Sequence, residues 1–258
     1  MGCAGGLPLL HPARTLPPGD VRAAAGFSGN VAGGGLADAV RKAEGEAASN
    51  PTAAGPSGTD ATYAKGALAV ASTAPGLAPI VGARVGVGSQ ADAGLAYTGR
   101  SVRVDVRRSF DLSPTWALSI GAGGQAALYG RGDGGTLPAV DLGHLHGWGA
   151  DVPLLVGYES VGNLYFLWAG ARGGWEHVDI GDVSSVPGSP PLGAAPLALS
   201  ATRFWGGGLV GAAVGFRHVH VAVELDVSYA AISGDFDGTH ANVAGVTIAP
   251  SSALWWRF

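Results

Sequence analysis

Histidines and carboxylates gather in the second half of the chain at spacings that could hold a metal. Asp141, His144 and His146 lie within six residues of one another. On extended backbone two residues i and i+2 project to the same side, so His144 and His146 could present two imidazoles together. His177 and Asp179 repeat that spacing, and His240 follows further on. His144, His146, His177 and Asp179 are therefore the candidate metal ligands. No closed ligand set is visible, and solvated loop side chains account for the same pattern. Ser184, Ser185 and Ser189 sit in a Gly/Pro-rich stretch, and no Gly-x-Ser-x-Gly nucleophile motif occurs, so no catalytic residue is assigned. Gly206–Gly207–Gly208 is not followed by Lys-Ser/Thr, which excludes a phosphate loop. Arg131-Gly132-Asp133 is a triplet of the kind that glycine-rich turns produce by chance. No cofactor is implied.

What must position these groups is written in the composition. Of 258 residues 45 are glycine, 47% are hydrophobic and only 13% are charged. Glycine is more than twice its usual ~7%, and charge is about half its usual ~25%. A disordered polar chain is excluded. So is collagen, because no Gly-X-Y period appears. The net charge of −4 argues against a nucleic-acid partner. One cysteine excludes an internal disulfide. The mean hydropathy of +0.26 points to a membrane. A spanning helix needs about 20 apolar residues. The uncharged stretches that approach this length, such as 66–83 and 112–130, contain proline and are rich in Gly, Ala, Ser or Thr. The remaining way across is a closed barrel of strands.

The period-2 alternation of such strands is present. Val102, Val104, Val106, Phe110 and Leu112 share one face, and Arg103, Asp105, Arg107, Ser109 and Asp111 the other. Val219, Val221, Val223, Leu225, Val227 and Tyr229 alternate in the same way with His220, Glu224, Asp226 and Ser228. Strands are expected near 20–31, 79–88, 92–98, 101–112, 116–129, 147–159, 163–180, 203–217, 219–233 and 243–258. That is an all-β fold: a closed antiparallel up-and-down transmembrane β-barrel of about ten strands, with eight or twelve as alternatives. Short turns fall near 89–91, 113–115, 160–162 and 218. Longer connections fall at 32–78, 131–146, 181–202 and 234–242, and the short connection at 99–100, between the third and fourth strands, breaks that rule. Tyr165 and Trp175 lie ten residues apart on one face, the span of a ~25 Å apolar band at ~2.5 Å of height per tilted residue.

Strand parity sorts nearly every charge to the inner face. Asp20, Arg22, Arg84, Asp92, Arg103, Asp105, Arg107, Asp111, Asp151, Glu159, Arg172, Glu176, Arg203, Arg217, Glu224, Asp226 and Arg257 are expected in the lumen, with Arg108 the main exception. A charge facing lipid at mid-depth costs about 2–4 kcal/mol, which explains the sorting. The signs nearly balance, so ion pairs across a largely plugged lumen are expected; a narrow pore is the alternative. In the long connection 32–78, Leu36, Val40, Ala43 and Ala47 fall on one face of a short helix able to cap the mouth. Residues 50–60 are expected to be mobile.

The chain ends Leu254-Trp255-Trp256-Arg257-Phe258, with Leu254, Trp256 and Phe258 on one face. This resembles the C-terminal assembly signal of bacterial outer-membrane β-barrels. The resemblance covers 20–258 and is one of architecture. It implies location in the bacterial outer membrane, with outer-membrane lipids and the barrel-assembly machinery as partners. The N-terminus, with Gly2-Cys3, looks like the end of a lipobox, which makes Cys3 a candidate lipidation site at the head of a proline-rich linker, 1–19. Omptin-type proteases carry Asp and His at the rim of a ten-stranded barrel, but no motif of theirs matches here. The expected role is a monomeric, non-enzymatic structural or surface-interaction protein with an unknown extracellular ligand. A rim-site hydrolase or metal-binding barrel is the alternative.

Overall fold

In the computed structural model, residues 8–49, 60–73, 75–99, 101–127, 137, 140, 142–181 and 198–258 are described. Ten strands form one closed antiparallel barrel: β1 (Val21–Gly33), β2 (Gly76–Gly88), β3 (Ala91–Tyr97), β4 (Ser101–Asp111), β5 (Trp116–Ala127), β6 (Leu145–Glu159), β7 (Tyr165–Ile180), β8 (Leu199–Phe216), β9 (Val219–Phe236) and β10 (Thr239–Arg257). Each strand pairs with its neighbours in sequence, and β1 closes on β10 through pairs such as Ala25–Leu254.

Period-2 alternation decides which face is which. Along β9 every second residue from His220 to Phe236 is buried and every intervening one is exposed. The exposed set is apolar over most of its length, as at Val221, Val223, Leu225 and Val227, while Glu224, Asp226 and Ser228 face inward. Val106 is 61% exposed and Phe204 64%. In water such a surface would aggregate; in a bilayer it is the solvated face. Two aromatic belts bound it. Trp116 packs edge-on to Tyr158, which stacks on Tyr165, at the short-turn end. Trp148 meets Trp175 edge-on, centroids 4.5 Å apart, at the other. Leu254 and Trp256 lie on the outward face of β10 and Phe258, just past its end, is exposed, while Trp255 points in and is buried. Among the described residues no helix is long and apolar enough to cross a membrane.

The turns follow the expected asymmetry with one correction. Ser89 and Gln90 have positive φ, the primed two-residue turn that suits strand twist. The β9–β10 connection, expected as a loop over 234–242, is equally tight. Asp237 and Gly238, at φ 46° and 76°, form the whole turn, and both strands run on into it. An Asp-Gly pair between alternating segments is the strongest short hairpin signal, and it governs here.

The lumen is where expectation and structure part most. Two helices occupy the mouth opposite the short turns: α1 (Gly35–Ser49) and α2 (Ala61–Thr73). Helix α1 agrees with the expected cap, and Leu36, Ala39 and Ala43 are its buried face. Helix α2 was not expected. It is apolar nearly all round, as a helix enclosed by other elements must be, and almost every residue from Tyr63 to Thr73 is buried. It packs on an inward apolar ring from the strand ends, including Leu145, Val178, Ile180, Leu199, Ile232 and Phe236, with Tyr63 against Phe236. Asp60 caps it by accepting from Thr62 N at 2.6 Å and Tyr63 N at 3.3 Å. Those bonds to Thr62 hold the Asp60 carboxyl below its ordinary range. The expectation of mobility at 50–60 lies, apart from Asp60, outside the described residues.

Candidate functional site

Residues 8–16, read from the sequence as part of the 1–19 linker, run inside the barrel. The chain leaves β1 at the short-turn end, reverses at the exposed Pro17-Pro18-Gly19, and climbs the lumen. Gly19 N donates to Gly86 O, and Gly86 N to Asp20 O. Gly86 has to be glycine here: a Cβ would lie 1.9 Å from Pro17 O. Leu9, Leu10, Ala13 and Leu16 are buried, the first three on an inward cluster with Leu155, Phe166, Trp168 and Trp255. Each leucine buried contributes about 1.5–3 kcal/mol.

Polar groups fix the register of this segment through its main chain. Both oxygens of Glu224 are engaged: Leu9 N donates to Oε1 at 2.7 Å, and Leu10 N to Oε2 at 2.9 Å. Trp168 Nε1 donates to the same Oε2 at 2.8 Å. Lower down, Leu16 N donates to Asp92 Oδ2, and Arg107 donates to the carbonyls of Pro12 and Arg14. Arg14 pairs with Asp111 at 2.9 Å and Glu159 at 3.1 Å, and so covers the lower opening. Arg257 pairs with Asp20 at 2.9 Å.

His11 sits within this polar zone, its Nδ1 accepting from Arg107 Nη1 at 2.8 Å. Burial, then the Arg107, Arg84, Arg103 and Arg22 guanidinium groups, hold its pKa well below 6.5. The released segment would bind a proton that the docked one rejects. Docking strength is therefore full above pH ~6.5 and declines as pH falls below it. Proteolysis of the N-terminal segment is expected to accelerate between pH 7.5 and pH 5. His11→Gln, which keeps an acceptor without the titration, should flatten that dependence; an unchanged slope would refute the role of His11.

Behind the segment one lumen wall carries a continuous chain of charge. Arg107 binds Asp92 at 2.7 Å; Asp92 binds Arg84; Arg84 binds Asp105; Asp105 binds Arg103 at 2.6 Å; Arg103 binds Asp151 at 3.0 Å; and Asp151 binds Arg172 at 2.9 Å. Every member is nearly dry. The arginines come from β2, β4 and β7 and the aspartates from β3, β4 and β6, so the chain links β2, β3, β4, β6 and β7. Arg203–Glu176, at 3.3 Å, sits above it. Between this wall and the end of α2 lies a polar chamber of about 60 Å³, lined by Ser72, Thr73, Arg172, Glu176, Arg203, Trp205 and Asp226 among others. That is room for a few waters.

Most of the expected lumen charges point inward, and three stand apart. Asp111 and Asp20 are partly exposed at the short-turn rim. Arg217 occupies the β8–β9 turn at φ 54° and lies over Phe216, outside the lumen. A residue in a turn has no strand parity, which is why sorting by alternation misplaced it. Arg22, buried, lies over the Trp255 ring.

The candidate metal ligands occupy the outer surface of the far rim. His146 is exposed on β6, opposite Asp179 of β7. His177 Nε2 lies 3.0 Å from Asp179, and its Nδ1 lies 3.0 Å from Thr202 Oγ1. His144 is exposed in a short 3₁₀ turn (Leu142–His144). His240 pairs with Asp235 at 3.3 Å. Among the described residues no three His, Cys, Asp or Glu side chains converge as a metal site. Cys3, Asp141, the serines 184, 185 and 189, and Arg131-Gly132-Asp133 fall outside the described residues.

No family model matches this chain, and no curated protein matches its sequence. Among solved structures it is similar to Neisserial surface protein A, at 11% identity and TM-score 0.35 over 93% of this chain and 96% of that one. It is also similar to the outer membrane protease OmpT from Escherichia coli, at 10% identity and TM-score 0.42 over 95% of this chain and 99% of that one. These likenesses concern the barrel architecture alone. The chain's own geometry identifies it as a transmembrane barrel of the bacterial outer-membrane type: an even strand number, short turns at one end, an apolar exterior between two aromatic belts and a polar interior.

Proposed function

We propose that this outer-membrane barrel works as a closed scaffold that displays its far rim to an extracellular partner, and that it neither conducts nor catalyses. The observation that carries the reading is the double filling of the lumen, by residues 8–16 from one end and α2 from the other. A conducting channel needs a continuous polar path, whereas among the described residues an apolar cluster lies on either side of the small polar chamber. The partner that meets the rim is unidentified. In this reading Leu254, Trp256 and Phe258 present the signal recognised by the assembly machinery, the apolar exterior meets outer-membrane lipids, and the barrel acts as a monomer.

Planar-bilayer recording tests this directly. The refolded protein is expected to show no large, stable conductance steps. A variant lacking both 8–18 and 36–73 is expected to show them, provided it retains the heat-modifiable gel migration of a folded barrel. Large, steady steps from the intact chain would end the closed-scaffold reading and favour a pore.

A further inference from the structure

On the lipid-facing surface one charge among the described residues stands inside the apolar band. Arg108 points outward from β4, with Val104 and Val106 on one side and Phe110 and Leu112 on the other, all exposed to lipid. Its cross-strand partners are Ala91 on β3 and Ile120 on β5. It makes no ion pair among the described residues, and its guanidinium lies over the Phe110 ring at 5.5 Å. Phe110 is the next outward residue toward the short turn, so the side chain leans to the headgroup region on that side. Long cationic side chains reach for the interface in this way.

A charge left in hydrocarbon is costly, and such a residue ordinarily has a functional partner. The carboxylates of neighbouring strands cannot serve. Asp92, Asp105 and Asp111 are on the inward parity, and the first two are committed to Arg84, Arg103 and Arg107. Among the described residues this leaves the bilayer as the source of a counter-charge. Beside Arg108 the outward neighbours Ala91 and Ala122 are small, and with Val106 and Ile120 they bound a shallow, open depression of about 360 Å³. That shallow groove adjoins Arg108 and is bordered by apolar side chains of the band. A phosphate can take two parallel hydrogen bonds from a guanidinium fork, and an acyl chain suits the groove.

We propose that Arg108 and the β3–β5 groove form a binding site for one phospholipid of the leaflet at the short-turn side, with the phosphate on Arg108 and an acyl chain along Ala91, Val106 and Ala122. The site rests on the membrane-barrel reading but not on whether the lumen is closed.

The test is native mass spectrometry of the full chain in detergent, titrated with phosphatidylglycerol, with diacylglycerol, and with inorganic phosphate. Heat-modifiable migration of every sample reports separately on the barrel itself. Wild type is expected to hold one phosphatidylglycerol roughly tenfold more tightly than diacylglycerol, the ratio that about 1.4 kcal/mol of headgroup contact gives. Arg108→Gln should abolish that preference with the barrel intact, and Arg108→Lys should keep part of it. Inorganic phosphate alone should fail to compete at equal concentration. Equal retention by wild type and Arg108→Gln would overturn the site. So would equal affinity for diacylglycerol, or phosphate competing as well as lipid, which would mean a simple anion contact without a groove.

Discussion

Asp151→Ala is expected to destabilise the barrel by about 3–5 kcal/mol, the usual cost of removing one partner from a buried ion pair. Asp151 is the last carboxylate of the charge chain. It accepts from Arg103 Nε and Nη2, both at 3.0 Å, and from Arg172 Nε at 2.9 Å. Both arginine side chains are almost without water contact. Losing the carboxylate takes one of its two carboxylate partners from Arg103, which keeps Asp105, and breaks the Arg172 ion pair, inside a barrel whose outer face is hydrocarbon and cannot supply ions. The double variant Asp151→Ala/Arg172→Met should recover part of the loss, because a cation and its partner leave together. Urea unfolding in lipid, followed by gel migration, measures both. A loss below about 1 kcal/mol for the single variant would mean that water reaches this wall and screens it.

Glu224→Ala is expected to release the N-terminal segment from the lumen. The carboxylate is the common acceptor of Leu9 N, Leu10 N and Trp168 Nε1. Each buried donor left without an acceptor costs about 1–3 kcal/mol, so the loss falls on both the segment and the wall it leans on. Arg107 and Asp92 still hold residues 12–16, so release should begin at residues 8–11. Limited proteolysis is expected to cut the segment in Glu224→Ala and spare it in wild type. Glu224→Gln should lie between, since an amide offers one acceptor oxygen where the carboxylate offers two. Wild-type protection in Glu224→Ala would show that the leucines alone suffice.

The barrel itself was legible because its signal repeats. Lipid on one side and charge on the other impose period 2 on every strand, and the aromatic belts mark the length. All ten strands lie close to where alternation places them. What fills the barrel was not legible, for two different reasons. Helix α2 is short, rich in alanine and apolar all round, so it has no face for periodicity to reveal; its burial comes from the ring of strand ends around it. Residues 8–20 are proline-rich and aperiodic. Several of their polar anchors are main-chain groups, the N–H of Leu9, Leu10 and Leu16 and the C=O of Pro12 and Arg14, which every sequence possesses. Only Leu9, Leu10 and Leu16 hinted that this stretch had something to bury. At the rim, the i, i+2 spacing did put His177 and Asp179 on one face, and the parity they share with Tyr165 and Trp175 makes that face the outer one.

The strands are far from equal in length, and the membrane has to answer for it. Strand β3 has seven residues and β10 has nineteen. At ~2.5 Å of height per residue, β3 rises about 17 Å, several ångströms short of a ~25 Å apolar band. Lipid beside β3 must thin to meet the wall, at a cost of a fraction of a kcal/mol per Å, while lipid beside β8–β10 need not. The barrel thus carries a dimple on one flank and has a heading in the plane of the membrane. Two barrels that turn their dimples together share one deformation where apart they make two. That is an attraction without a protein contact, and it should fade in a thinner bilayer.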